Sequence, residues 1–138
     1  MRRFLYLLLL LTILITSLGI TGCKKENTEV KKIKDLEFTT VEDAELPGEL
    51  KEIIDEKKEE PFKLSYSNKD NLYIVVGYGK QNSGGYSISV DELYLTSNAI
   101  YINTTLIGPS KEDMVSQGVT YPYVVVKLEF REERIVFE

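Results

Sequence analysis

Four glycines in the middle of the chain first suggest chemistry, because glycine-rich loops can cradle phosphate. They are Gly77, Gly79, Gly84 and Gly85, within the stretch GYGKQNSGG. A P-loop requires GxxxxGK followed by Ser or Thr, but Gly85 stands where that lysine should be. The dinucleotide fingerprint fails as well, since Asn82 occupies the position of its third glycine. The glycines therefore favour a hairpin turn, where positive φ is needed, over the alternative of a ligand-holding loop.

The chain lacks the side chains on which most enzyme chemistry depends. It contains no histidine, which removes Ser-His-Asp triads, Cys-His pairs and histidine metal ligands. Its one cysteine provides no thiol set for zinc, and no acidic run has EF-hand spacing. The adjacent acids Asp91 and Glu92 are expected in a strand, where neighbouring side chains point to opposite faces. We therefore expect no enzyme activity and no catalytic, cofactor-binding or metal-binding residues, although composition leaves a Ser-Lys dyad open.

The N-terminal stretch MRRFLYLLLLLTILITSLGITGC runs from basic through apolar to small residues. That order is typical of a secretory signal peptide, here residues 1–22. Its ending, ITGC, resembles the lipobox of bacterial lipoproteins, which implies diacylglycerol on the Cys23 thiol and cleavage just before it. Two or more acyl chains, palmitate among them, would hold the protein on the extracytoplasmic face of the cell membrane. The alternative is an uncleaved membrane-anchor helix.

Charge divides the remaining chain into a basic tether, residues 23–37, and an acidic domain, residues 38–138. Residues 24–34 hold five Lys and two Glu, a balance of +3, which suits either anionic headgroups or a soluble spacer. Residues 35–138 hold ten basic and twenty acidic residues, a balance of −10. A domain this acidic is unsuited to nucleic acid, because binding phosphate depends on Lys and Arg.

The pattern of apolar residues predicts a small single α+β domain, mainly an antiparallel sheet of five to seven strands with one N-terminal amphipathic helix. Pro47 and Pro61 bracket the helix, residues 47–60. Alternation and β-branched residues predict strands at residues 63–67, 72–78, 86–95, 99–107, 121–130 and 135–137. Ser110 and Asp113 have capping-box spacing, which favours one helical turn within residues 110–118.

Two short motifs resemble the C-terminal domain of the PrcB family. They are GYGKQNSGGYSISV and TYPYVVVKLE, and the resemblance covers roughly residues 60–130. The matching residues are Gly79, Gly84, Gly85, Tyr86, Ile88, Thr120, Pro122 and Tyr123. The resemblance implies a lipoprotein or secreted protein without catalytic residues. The founding member of the family is linked to stabilising a surface protease complex.

Tyrosine gives the best indication of a binding surface. Eight tyrosines lie in the predicted domain, and tyrosine combines an apolar ring with a polar tip, as interfaces require. In three predicted strands, Tyr73, Tyr94 and Tyr101 alternate with apolar residues that should face the core. We expect these three to lie on the second face of the sheet. The alternative is that tyrosine simply favours strands.

Together these features predict a membrane-anchored extracytoplasmic lipoprotein that binds another protein without catalysing a reaction. A surface or secreted protease is the partner that the resemblance implies. A ligand-binding lipoprotein is the alternative, holding a small molecule, peptide or glycan on the same tyrosines.

Overall fold

The structure is a computed structural model that describes residues 2–6, which are helical, and residues 29–138. Most of the predicted signal peptide, and Cys23 with the first part of the predicted tether, lie outside the described residues. Among the residues described, no helix has both the length and the apolar character that crossing a membrane requires.

Within residues 29–138, eight strands form two four-stranded sheets. The elements in chain order are β1 (Lys34–Asp35), β2 (Thr39–Thr40), a 3-10 helix (Asp43–Glu45), α1 (Gly48–Lys57), β3 (Pro61–Ser67), β4 (Asn71–Tyr78), β5 (Ser87–Leu95), β6 (Ala99–Ile107), β7 (Tyr123–Glu129) and β8 (Arg134–Phe137). Sheet A has the order β1-β5-β6-β8 and sheet B the order β2-β7-β4-β3. Every pairing is antiparallel except β6 with β8. The predicted fold class is confirmed, with one strand more than the expected range.

The main core lies between the two sheets, because alternate residues of their strands point inward. Sheet B contributes Leu72, Ile74, Val126 and Leu128, and sheet A contributes Leu93, Leu95, Ile100 and Ile102. All eight are buried. The molecule is therefore a β-sandwich whose interior is aliphatic.

A second core lies on the other face of sheet B, under α1. Leu50 and Ile54 of the helix are fully buried against Tyr73, Val75 and Val125. The helix begins one residue later and ends three residues earlier than predicted, and the charged residues 58–60 lead directly into β3. Sheet B is thus covered on both faces, whereas no described helix or strand packs on the outer face of sheet A.

The end of the predicted tether belongs to the folded domain. Ile33 and Leu36 donate backbone hydrogen bonds to Leu95 (2.7 Å) and Leu93 (2.9 Å), on either side of β1. The chain then crosses to sheet B, where β2 pairs with β7. Residues 33–41, which we call the strap, therefore close one side of the sandwich, with Leu36 packed against the main core. Two-residue strands carry too little pattern to be recognised in sequence.

The predicted helical turn within residues 110–118 is wrong: residues 110–113 form a turn, and no helix is present in the rest of the segment. The Ser110 N–H donates to Asp113 Oδ2 (2.7 Å), and the Asp113 N–H donates to the Ser110 carbonyl (3.1 Å). The predicted capping pair thus exists, but no helix follows it.

Two isoleucines on β6 allow a matched test of the core. Ile100→Ala should lower the free energy of unfolding by about 2–5 kcal/mol, because Ile100 is fully buried and its truncation leaves a cavity. Ile107→Ala, at a side chain 49% exposed on the same strand, should change it by less than about 1 kcal/mol. Urea denaturation measures both; equal losses would contradict the assignment of the core.

Candidate protein-binding surface

Tyr94 and Tyr101 form a stacked pair on the outer face of sheet A. They lie directly opposite each other on β5 and β6, where cross-strand side chains meet. Their ring centroids are 5.2 Å apart and the ring planes differ by 8°. Each tyrosine is flanked by buried aliphatic residues facing the main core, so alternation directs the rings outward, half-buried. The strands therefore present an aromatic platform of two rings.

Carboxylates and one amine surround this platform. The Tyr94 hydroxyl donates to Glu138 at 3.5 Å, and the Lys32 amine lies 5.6 Å from the centroid of the Tyr94 ring. Lys32 also forms an ion pair with Asp35 of β1. Partial desolvation, followed by the charges of Glu138 and Glu92, raises the pKa of Tyr94. The Tyr94 hydroxyl therefore donates its hydrogen bond in a negatively charged environment.

A β-bulge in β5 corrects the expected placement of the two adjacent acids. The pairing register shifts between Val90 and Glu92, which leaves Asp91 as the extra residue. Asp91 accepts hydrogen bonds from Ser89 (2.7 Å) and Thr105, and these bonds lower its pKa, with that from Thr105 the larger cause. Glu92 precedes buried Leu93 and also points outward. Both acids therefore lie on the outer face of sheet A, not on opposite faces.

We call the outward-facing group Glu92, Tyr94, Tyr101 and Asn103 the tyrosine face. Sequence reasoning missed Glu92 and Asn103, which pair across β5 and β6 in the row next to the tyrosines. A signal was present: apolar residues fall on even positions up to Val90 and on odd positions from Leu93. That change of phase within one strand indicates a bulge.

Tyr73 does not join the tyrosine face, and the expectation that all three tyrosines share one face is wrong at this residue. It lies on sheet B, 5% exposed, beneath α1 and 6.1 Å from the ring of Tyr66. Alternation correctly directs Tyr73 away from Leu72 and Ile74. The prediction of one antiparallel sheet could not show that α1 covers the face of sheet B on which Tyr73 lies.

The residues of the family motifs lie mainly where two loops meet, at one end of the sandwich. Residues 79–86 are the glycine loop and residues 108–122 the long loop. Gln81 and Thr120 exchange backbone hydrogen bonds of 2.8 and 3.0 Å, and Thr120 Oγ1 donates to the Ser83 carbonyl (2.7 Å). The Gly84 N–H donates to the Ser116 carbonyl (2.9 Å). These bonds fasten the long loop to the glycine loop.

The glycine loop is not the predicted hairpin turn. It joins β4 to β5, which belong to different sheets, so it carries the chain across one end of the sandwich. Gly79 and Gly85 have positive φ, +73° and +84°, and a Cβ at Gly85 would lie 2.4 Å from Val115 Cγ1. Glycine is therefore required for backbone conformation and for close contact with the long loop, and neither residue opens a helix that could bind phosphate.

The remaining motif residues also have structural contacts. Tyr86 packs beside Gly108, and Ile88 is half-buried on β5 opposite Leu106. The Pro122 carbonyl accepts from the Tyr78 N–H (3.0 Å).

Tyr123 links β7 to the segment before α1. Its hydroxyl donates to the Asp43 carboxylate, and burial together with this hydrogen bond raises the pKa of Tyr123 well above its usual range. Its contacts, like those of the other motif residues, hold the fold together.

The described residues contain no group of three or more His, Cys, Asp or Glu side chains that could hold a metal ion. Grooves lie along the edges of the sandwich. One of about 970 Å³ runs beside the strap and mixes cations and acids, including Lys127, Glu129 and Arg131. Another, of about 520 Å³, lies between β3 and the end of β8. The tyrosine face is open surface, a shape that suits a macromolecule better than a small molecule, which favours concave sites.

Fold and surface thus define a small β-sandwich domain with an exposed aromatic face. Residues 72–129, from β4 to β7, match the family model described as PrcB C-terminal. This part of the chain is therefore a PrcB-like C-terminal domain, as the two motifs indicated. The first three strands, α1 and β8 lie outside the match. No curated protein and no solved structure matches the chain.

Gly85→Ala tests the junction of the two loops. It should lower the free energy of unfolding by about 1–3 kcal/mol, because alanine is strained at this φ and its Cβ would clash with Val115. Adding Val115→Ala removes the closest contact, that with Val115 Cγ1, but not the strain or the 3.0 Å approach to Pro109, so the double variant should be less destabilised than the sum of the single changes. Gly118→Ala is the control, since a Cβ there meets nothing within 4 Å. Thermal and urea unfolding compare the four variants, and a loss at Gly118 as large as that at Gly85 would refute the explanation.

Proposed function

We propose that the protein is a non-catalytic accessory lipoprotein that binds another protein through its tyrosine face, outside the cytoplasm. The observation that carries this proposal is the stacked Tyr94–Tyr101 pair on a sheet face that no described helix or strand covers. Tyrosine is enriched among the residues that dominate binding energy at protein interfaces. An open, half-buried aromatic pair with a polar surround has the anatomy of such a surface.

The PrcB-like domain supports a partner within a protease complex. The family match covers the strands that carry both tyrosines, β5 and β6. An accessory subunit needs a rigid surface, and both rings stand on long paired strands at the centre of sheet A. The partner that we propose is therefore a surface or secreted protease, which the protein stabilises or assists.

Membrane anchoring through Cys23 completes the proposal. The signal-like N-terminus, the ITGC ending and the single cysteine support lipidation on the extracytoplasmic side. The charge contrast agrees: basic residues follow Cys23 directly, whereas residues 35–138 carry a balance of −10. An anionic membrane would attract the basic residues after Cys23 and repel the acidic domain. The repulsion would hold the domain in solvent.

Cys23→Ser should abolish acylation, because the thioether requires the thiol. In cells fed a labelled fatty acid, the wild-type chain should carry label and start at residue 23, whereas the variant should carry none. Lys24→Ser, which alters the neighbouring residue and keeps the thiol, should behave as wild type. A wild-type protein that retains residues 1–22 and no acyl group would overturn the anchor.

Tyr94→Ala combined with Tyr101→Ala should reduce capture of the partner by about tenfold or more, as expected when two interface tyrosines are lost. Crosslinking in intact cells, followed by quantitative mass spectrometry, measures capture. Tyr121→Ala with Phe130→Ala removes two aromatic rings elsewhere and should leave capture unchanged. Unfolding curves must show both variants folded; undiminished capture by the Tyr94/Tyr101 variant would exclude this face.

A further inference from the structure

We propose that the tyrosine face binds an arginine side chain of the partner protein, with the guanidinium stacked on Tyr101 and paired with Glu92 and Glu138. This inference rests on the proposed function, because it names the chemistry of the partner segment that the face accepts. The occupant is a cationic segment of another protein.

The sheet register places the three recognition elements side by side. Tyr94 lies opposite Tyr101 in one row, and Glu92 lies opposite Asn103 in the next. The Glu138 N–H donates to the Ile102 carbonyl (3.0 Å), which brings this residue to the other side of β6. Acids thus stand on both sides of the strand that carries Tyr101. A planar group stacked on that ring would therefore have a carboxylate-bearing segment on each side of β6.

Charge complementarity selects a cation. Asp35 already pairs with Lys32, and Asp91 is held by two hydroxyl donors. Glu92 and Glu138, by contrast, form no salt bridge within residues 29–138, and the Glu138 carboxylate accepts a single long hydrogen bond of 3.5 Å, from the Tyr94 hydroxyl. Two uncompensated acids beside an aromatic ring repel an anion and attract a cation. A second copy of this acidic chain, or a nucleic acid, would place like charges together.

The protein's own Lys32 shows that a cation fits over these rings. Its amine lies 5.6 Å from the Tyr94 ring centroid, within the distance at which cation–π attraction operates. No other described cation lies over Tyr94, and none lies over Tyr101. The platform therefore has one ring with Lys32, the residue just before the strap, and one ring without a cation partner in the described chain.

Arginine fits the second ring better than lysine. Its guanidinium is planar, so it can stack on Tyr101 while its N–H groups donate sideways to two carboxylates. An ammonium group is compact and strongly hydrated, and it cannot stack as a plane. The geometry therefore predicts a preference for arginine beyond what charge alone would give.

Fluorescence anisotropy of labelled peptides tests the inference with the full-length chain in non-ionic detergent. The probe is a Gly-Ser peptide carrying two arginines; matched peptides carry lysine or neutral citrulline instead. We expect the arginine peptide to bind, the lysine peptide to bind several-fold more weakly, and the citrulline peptide weakest of all. Added salt should weaken arginine binding, because the contacts are exposed.

Matched variants distinguish binding at a specific site from attraction by the overall negative charge. Glu92→Gln with Glu138→Gln should weaken arginine binding by about fivefold, the effect of losing two exposed ion pairs. Glu112→Gln with Glu132→Gln makes the same change in net charge on other loops and should leave binding within about twofold. Equal losses in both pairs, no loss in either, or equal affinity for arginine and citrulline would each overturn the inference.

The same variants distinguish this inference from the proposed function. If the Glu92/Glu138 variant keeps full capture in cells while the Tyr94/Tyr101 variant loses it, the face binds a protein but the arginine assignment is wrong. Selective arginine-peptide binding with no protein captured in cells would instead sink the accessory role and leave the arginine preference standing.

Discussion

The structure depends on the burial of β4 on both faces. Six consecutive residues, from Leu72 to Gly77, are buried. Such a strand needs an apolar layer on each side, and the chain provides sheet A on one side and α1 on the other. Burial of a Leu, Ile or Val side chain contributes about 1.5–3 kcal/mol, so this strand has no comparably stable alternative at a surface. Because α1 packs on sheet B, no helix among the described residues covers the outer face of sheet A.

That asymmetry explains how one tyrosine became core and two became surface. Tyr73, Tyr94 and Tyr101 occupy the same kind of position in sequence, each between two apolar residues. Their surroundings differ because α1 covers the outer side of β4, whereas no described helix or strand covers the outer side of β5 and β6. Such a sandwich can keep its core while its exposed sheet face varies, since residues there contribute little to the main core.

Local pattern was sufficient to predict the strands but not their pairing. Alternation located β3 to β8 within a few residues, because inward positions must be apolar whatever lies across the sandwich. It did not show that β4 and β5 belong to different sheets, since a crossing loop and a hairpin both require glycine and polar residues. The bulge at Asp91 placed both adjacent acids on one face instead of on opposite faces. In the sequence it was visible only as a shift of the apolar residues from even to odd positions. Glu138 joined the candidate site through the parallel pairing of β8 with β6, which no local pattern encodes.

The strap limits how far the domain can lie from the membrane. The chain enters the domain at Ile33, on the edge of sheet A that adjoins the strand carrying Tyr94. With the proposed lipid on Cys23, ten residue-to-residue steps lead from the lipidated cysteine to Ile33 on that edge. A fully extended chain covers at most about 3.6 Å per residue, so the segment between Cys23 and Ile33 can span at most roughly 35 Å. A bound protein would thus be confined to a thin shell above the bilayer, where two molecules meet far more often than they would in bulk solution.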